Sequence, residues 1–383
     1  MVLKKKINLL HLNSYFQGTD LHRLQIQHLE EKEVLNQSLF VPISYSEQLK
    51  RNPFENNPSI HVVIEACFGL FARLFWPLKM IQIWKRFQIH YRNQTFDLLH
   101  AHTLFVNGLI AFLHFKKTGT PYIVTIRSAD ISTFLKRIPF MKFIAAPILE
   151  NATTIILLSS SFWDNDLQNT LLKRTIRQIE NKIKIIPNGI NEFWYNNLET
   201  VEKEKNNHFK VLYVGELSKN KRVQTIIKAC QKLDENGVNV ICDIVGEGPE
   251  RTYLEQIDVS FKINFLGKVI DKHALLKMYR DADVLIVPSR RETFGLVFAE
   301  AISQGTPVIY SKGQGFDGQF KDGEVGFPVE SGNIDDISNK LLQVNQNHIA
   351  LNKQVLKVGR RFSWTEITNQ LLDAYTIIIS LDS

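Results

Sequence analysis

The sequence predicts an α/β protein made of two Rossmann-like parallel-sheet domains, and three observations carry this. The chain has 383 residues, more than one hydrophobic core usually fills, so two domains are expected. Short β-branched runs alternate with longer helix-period segments, the pattern of strand–helix units around a parallel sheet. The pattern occurs twice, on either side of a turn and a polar stretch near the middle.

In the first half, residues 7–12, 97–101, 122–126 and 154–159 read as strands buried on both faces, because their apolar residues run on instead of alternating. In the second half the same holds for 210–214, 239–245, 262–266, 284–288 and 307–310. Between them Lys184-Ile185-Ile186 ends a strand, Pro187-Asn188-Gly189 turns, and residues 196–208 are polar and charged, a linker signature. The expected boundaries are a first domain over 1–186, a hinge over 187–208, a second domain over 209–361, and a terminal helix over 362–383. That helix has Ser363 as a candidate cap and an apolar stripe of Ile367, Leu371, Leu372, Tyr375 and Ile379.

Apolar residues make up 44% and charged ones 22%, which excludes a disordered chain. Cys67, Cys230 and Cys242 are far apart, with no zinc or redox spacing, and read as core thiols in a reducing compartment. Met1-Val2-Leu3 followed by Lys4-Lys5-Lys6 lacks the apolar stretch of a secretion signal, and no run is long enough to span a bilayer. The expected location is cytoplasmic, or peripheral on the inner membrane face. The net charge is +7. Between Ala66 and Leu149 eleven basic residues face only Asp97 and Asp130, so the basic surface belongs to the first domain. Its candidate partners are anionic lipid head groups, a phosphate-bearing acceptor or nucleic acid.

The densest chemical signal runs from Pro288 to Ala301, Pro-Ser-Arg-Arg-Glu-Thr-Phe-Gly-Leu-Val-Phe-Ala-Glu-Ala. A strand ends at Pro288 and a helix is expected from about Thr293. Unpaired amides at a helix start bind a diphosphate, and Gly295 lets backbone approach it. Glu292 and Glu300 would lie about 12 Å apart along such a helix, suited to gripping two hydroxylated parts of one ligand. Taken alone, Glu292 reads equally well as an N-terminal helix carboxylate and Glu300 as a solvated residue.

Four companions narrow the choice: Val214-Gly215-Glu216-Leu217 with Lys221; Val245-Gly246-Glu247-Gly248-Pro249; Phe265-Leu266-Gly267-Lys268-Val269; and Ser303-Gln304-Gly305-Thr306-Pro307-Val308-Ile309. With Glu292 and Glu300 these resemble, in order and spacing, the motifs of retaining glycosyltransferases of family 4, and the resemblance extends over nearly the whole chain. It implies two domains facing across a cleft, the GT-B fold. The first domain would bind acceptor, the second nucleotide-sugar, and the terminal helix would return to the first. It implies that Glu292 holds the transferred sugar and Glu300 the ribose. Phe294, Gly295 and Leu296 would offer amides to diphosphate or sugar, Lys221 would neutralise the leaving diphosphate, Gly215 and Gly246 would line the phosphate turn, and Lys268 and Val269 the base pocket. Where many relatives have Arg after the first glycine this chain has Glu216; Arg222 is a candidate replacement. The resemblance favours a UDP-sugar donor, no bound cofactor and no metal. Asp281-Ala282-Asp283 leads straight into a strand and reads as structural.

In the first domain Asp97-Leu98-Leu99-His100-Ala101-His102 resembles the family's strand end, with both histidines read as structural. Arg127 and Asp130 sit where relatives carry groups beside the reacting carbon. Arg127, always protonated, would hold phosphate or acceptor with Asp130 orienting it, or the two simply cap a loop. Over residues 71–92 aromatic and basic residues interleave around Pro77, giving one broken helix or two. Such a segment suits an anionic membrane interface or packs its apolar face on the sheet. The acceptor expected from the family is a saccharide or lipid-linked saccharide of bacterial polysaccharide synthesis. Rival readings are a nucleotide-sugar epimerase or phosphorylase of the same fold, a non-catalytic subunit, and a basic nucleic-acid-binding protein. The last lacks RNA- or DNA-motif cues.

Overall fold

The computed structural model describes residues 6–381, apart from 19, 47–52, 56, 58, 205 and 206. The extreme N-terminus read for a secretion signal lies outside the described residues, as do the side chains of Arg73 and Ile379. By contact the chain forms two units. Unit 1 comprises Met1–Leu158, Trp163–Gly189 and Trp364–Ser383, and unit 2 comprises Ser159–Phe162 and Ile190–Ser363.

Unit 1 is built on seven parallel strands: β1 (Ile7–Leu12), β2 (Leu35–Ser44), β3 (Ile60–Phe68), β4 (Leu98–Ala101), β5 (Tyr122–Ile126), β6 (Thr154–Leu157) and β7 (Ile183–Ile185). Their spatial order is β3-β2-β1-β4-β5-β6-β7. The chain therefore winds outward in one direction from β1 and in the other from β4. Where the direction reverses, the loops after β1 and β4 part and leave a crevice at the carboxyl ends of the strands, the usual seat of a ligand in an open α/β sheet. Strands β2 and β3 were not among the expected elements. Their signal was present in Leu39-Phe40-Val41 and Val62-Val63-Ile64, but Pro42 and interleaved polar residues masked it.

Residues 70–91 form two helices, Leu70–Leu74 and Trp76–Tyr91, broken at the extended residue Phe75. Pro77 falls in the first turn of the second, where no amide needs an intrahelical partner. Met80, Ile83, Phe87 and Tyr91 recur at helical spacing and are buried. The terminal helix, Trp364–Leu381, belongs to unit 1 and buries Trp364, Ile367, Leu371, Ala374 and Tyr375 there. The Trp364 indole stacks on His28, with ring centroids 6.0 Å apart. A Cβ on Gly189 would stand 2.5 Å from that indole, so the turn needs glycine.

Unit 2 carries six parallel strands: β8 (Phe209–Val214), β9 (Val240–Val245), β10 (Lys262–Gly267), β11 (Val284–Val287), β12 (Val308–Ser311) and β13 (Gly326–Val329). The order is β10-β9-β8-β11-β12-β13, which puts the reversal between β8 and β11. Strand β13 escaped sequence reading because Gly-Phe-Pro-Val is short and holds a proline, tolerable only at a sheet edge. One continuous apolar core runs through the unit, from Val211 and Leu212 of β8 to Ile309 of β12.

Candidate donor and acceptor sites

At the reversal point of unit 2 the loops after β8 and β11 are stitched together. The Arg290 amide donates to the Asn220 carbonyl at 2.8 Å, and the Asn220 side chain donates to the Arg291 carbonyl at 3.0 Å. Lys221 Nζ then donates to Glu292 Oε2 at 2.6 Å, with the Ser289 hydroxyl 3.3 Å from the same oxygen. Both charged groups are only partly exposed, so each is held near a fixed position. The Glu292 amide donates to Gln314 Oε1 at 3.0 Å.

The glycines of the companion motifs explain how these loops approach so closely. Gly246, at φ +146°, lies so near Gly215 that a Cβ would stand 1.8 Å from the Gly215 carbonyl oxygen. A Cβ on Gly248 would stand 2.3 Å from the Leu217 carbonyl oxygen. The Leu217 amide instead donates to the Glu247 carbonyl at 2.9 Å, and the Glu250 amide to the Leu217 carbonyl at 3.0 Å. Gly215 and Gly246 thus brace the turn that carries Lys221.

The helix after β11 starts later than expected, at Leu296, and runs to Ser303. Gly295 caps it at φ +73°, a left-handed conformation that favours glycine. Glu292 therefore stands in the loop ahead of the helix, not on it, and the helical spacing does not set its distance from Glu300. The Phe294 ring is buried against Phe316 and Phe362, which pins the loop to the core. Glu300 is half-buried and accepts a hydrogen bond from the Tyr279 hydroxyl at 3.0 Å. Loss of solvent raises its carboxyl above the ordinary range, against the opposing pull of Tyr279, Lys272 and Trp194.

Other expected site residues do not join this cluster. Arg222, itself left-handed at φ +53°, hydrogen-bonds the carbonyl and the hydroxyl of Ser331. Gly332 makes room for its guanidinium. Glu216 is exposed, and so is Lys268 after β10, with Val269 half-buried beside it. Asp283 is buried and accepts from the Lys210 amide at 2.7 Å, which gives it a structural task.

In unit 1 Arg127 and Asp130 are neighbours. Asp130 Oδ2 accepts from the amides of Arg127 at 2.9 Å and Leu104 at 3.2 Å. Burial raises its carboxyl to about 6 despite these donors. The Arg127 guanidinium reaches Asn188 Oδ1 at 2.9 Å. Burial lowers its pKa to about 10, with Asp130 opposing, so it remains a cation at neutral pH.

His100 and His102 belong to a buried cluster that sequence reading did not anticipate in full, because His11 joins it from β1. The Gln37 side chain donates to Ile26 and Glu30, which leaves its oxygen to accept from His11 Nε2 at 3.1 Å. His11 Nδ1 then accepts from His102 Nε2 at 3.0 Å. His100 bonds Tyr375 and Thr125, each at 2.8 Å. Ring nitrogens of His11, His100 and His102 lie within 4.8 Å of one another, a metal-compatible grouping. Desolvation keeps all three rings neutral, His11 down to about 4.

Comparison with known proteins adds to this geometry. Residues 196–361 match the model of the family described as glycosyl transferases group 1. The capsular polysaccharide biosynthesis glycosyltransferase CapM of Staphylococcus aureus is 26% identical, over 96% of this chain and 95% of its own. The alpha-monoglucosyldiacylglycerol synthase of Acholeplasma laidlawii is 25% identical, over 78% of each chain. Among solved structures, HepE of Anabaena in complex with UDP and glucose superposes with a TM-score of 0.62 at 18% identity, covering 97% of this chain and 99% of its own. Two Rossmann-like units of this kind make up the GT-B fold. Residues 196–361 carry the glycosyl transferases group 1 domain, and the relatives that align over most of the chain are glycosyltransferases.

Proposed function

We propose that this enzyme is a retaining, metal-independent hexosyltransferase that moves a sugar from a UDP-sugar to a saccharide or lipid-linked acceptor of bacterial glycoconjugate synthesis. The observation that carries the reading is the Lys221–Glu292 pair at the reversal point of unit 2. A donor would part it, the ammonium turning to the diphosphate and the carboxylate to the sugar hydroxyls. As the bond from the anomeric carbon to the phosphate oxygen breaks, Lys221 stabilises the developing charge, which is where such a contact lowers the barrier. The acceptor oxygen attacks the same face of the oxocarbenium-like carbon and passes its proton to the departing phosphate oxygen. The configuration is thereby retained without an enzymic nucleophile. Glu300 holds the ribose, and the amides of Phe294, Gly295 and Leu296 face the diphosphate or sugar. In unit 1 Arg127 and Asp130 bind and orient the acceptor.

Thermal stabilisation by a panel of nucleoside diphosphates, repeated with Glu300→Ala, tests the donor site. A shift specific to UDP that the variant loses is expected; no shift with any nucleotide would refute the reading. NMR of the product reads retention directly, and activity that vanishes with chelator and returns with a divalent cation would refute metal independence.

We further propose a cytoplasmic enzyme peripheral on a membrane, a reading that the surface of unit 1 supports. No helix among the described residues is long and apolar enough to cross a bilayer. Yet Leu70, Phe71, Ile81 and Ile89 on two helices, and Phe75 between them, are more than half exposed, and the second helix also carries Lys79, Lys85 and Arg86. That combination suits an anionic interface. Phe71→Ser with Phe75→Ser is expected to abolish co-sedimentation with phosphatidylglycerol vesicles. Undiminished sedimentation would remove these helices from the interface.

A further inference from the structure

We propose that a pocket at the reversal point of unit 1 seats the head group of a phosphate-bearing, hydroxylated lipid acceptor, with Lys79 on the phosphate. The inference rests on the lipid-acceptor reading above and names the site and the chemistry it selects.

The pocket lies where the loops after β1 and β4 part, the position at which an open α/β sheet gathers ligands. Ser14 and Tyr15 come from the first loop, and Thr103 and Phe105 from the second. Its volume is about 180 Å³, below the roughly 300–1,000 Å³ of most ligand pockets. It therefore takes a single ring or a glycerol-sized group, not a saccharide chain.

The lining divides by chemistry. Ser14, Tyr15 and Thr103 bring hydroxyls, and buried Asp130 brings a carboxylate. Burial and the nearby Asp130 raise the Tyr15 phenol, so it stays protonated and can donate. These groups match a ligand rich in hydroxyls. Lys79 adds a cation, its ammonium 4.4 Å above the Phe68 ring, suited to a phosphodiester oxygen. The remaining wall is apolar, with Phe68, Ile83 and Phe134 among its members.

The surroundings favour a lipid over a free phosphate ester. Lys79 and Ile83 belong to the helix Trp76–Tyr91, and Phe68 ends β3 just ahead of the helix Leu70–Leu74. The exposed residues Leu70, Phe71 and Phe75 thus follow the pocket wall directly in the chain. A head group in the pocket would leave its acyl chains beside an apolar surface that water otherwise covers.

The probe is dihexanoyl phosphatidylglycerol below its micelle concentration, titrated against the full chain, with glycerol 3-phosphate as the soluble comparison. Saturable binding of the lipid is expected, with glycerol 3-phosphate at least tenfold weaker. Lys79→Gln and the pocket-filling Val106→Trp should each weaken lipid binding at least tenfold. Calorimetric unfolding transitions of both units, unchanged in both variants, would show that they fold. No saturable binding, or binding that neither variant alters, would overturn the proposal. Equal affinity for glycerol 3-phosphate would overturn the lipid source. Lipid binding by a protein that transfers no sugar would sink the transferase reading and support this pocket.

Discussion

At the scale of single residues, two sites bind charge or hold it off. Lys221 and Glu292 satisfy each other at 2.6 Å, and removing one leaves the other partly buried without its partner. Lys221→Met is expected to cut kcat by about 100-fold or more, the usual effect of deleting a group that meets developing charge. UDP should still stabilise the variant, and a kcat within threefold of wild type would exclude the proposed role. The buried histidines work the other way, since burial depresses their pKa values. An unfolded chain binds protons near 6.5 that folded His11 accepts only near 4. Their contribution is therefore complete above pH 6.5 and is lost as pH falls toward 4. For His11 alone this is about 2 kcal/mol at pH 5. His22, His100 and His102 shift in the same direction. Asp130, raised to about 6, and Glu300, also raised, have the opposite sign, their stabilising contribution fading as pH rises, but they are two groups against five once His114 is included. The Tm should fall by several degrees between pH 7 and pH 5, and a flat Tm would contradict the neutral cluster.

At the scale of elements, the proposed donor site depends on loops that only glycine lets meet. Gly246→Ala would drive a Cβ into the Gly215 carbonyl, 1.8 Å away, at a φ that L-residues rarely adopt. Backbone on both sides cannot yield as a side-chain end can. A loss of roughly 2–4 kcal/mol is expected, with UDP binding lost even at temperatures where the variant stays folded. Urea unfolding and a UDP titration would read the two effects separately, and wild-type values for both would refute the bracing role. Five motifs in order were legible in the sequence because four follow strands at one sheet edge, and the fifth, Ser303–Ile309, ends a helix and opens β12 at the other. The late helix start at Leu296 was not legible. It follows from the left-handed turn at Gly295, which the buried Phe294 and Phe298 rings enforce by packing on residues distant in sequence.

At the scale of the whole molecule, the terminal helix is the element whose place in the chain says least about its place in the fold. It follows unit 2 in sequence, yet its Trp364, Ile367, Leu371 and Tyr375 complete a core of unit 1 that includes Leu9, Leu98 and Ile123. Truncation after Ser363 should therefore destabilise unit 1 while a UDP-stabilised unfolding transition from unit 2 survives. Calorimetry showing both transitions intact would refute this. The sequence by itself determined the α/β class and the two-fold repetition of strand–helix units, because these depend on periodicity and local turn chemistry, while the candidate donor residues came from its resemblance to a known family. Only the tertiary structure decided which residues meet. It joined His11 to His100 and His102, turned Arg222 to Ser331, brought Lys221 onto Glu292, and opened a pocket at the reversal of the first sheet. Those outcomes depend on strand order, and strand order is set by packing between segments far apart in the chain, which no local pattern encodes.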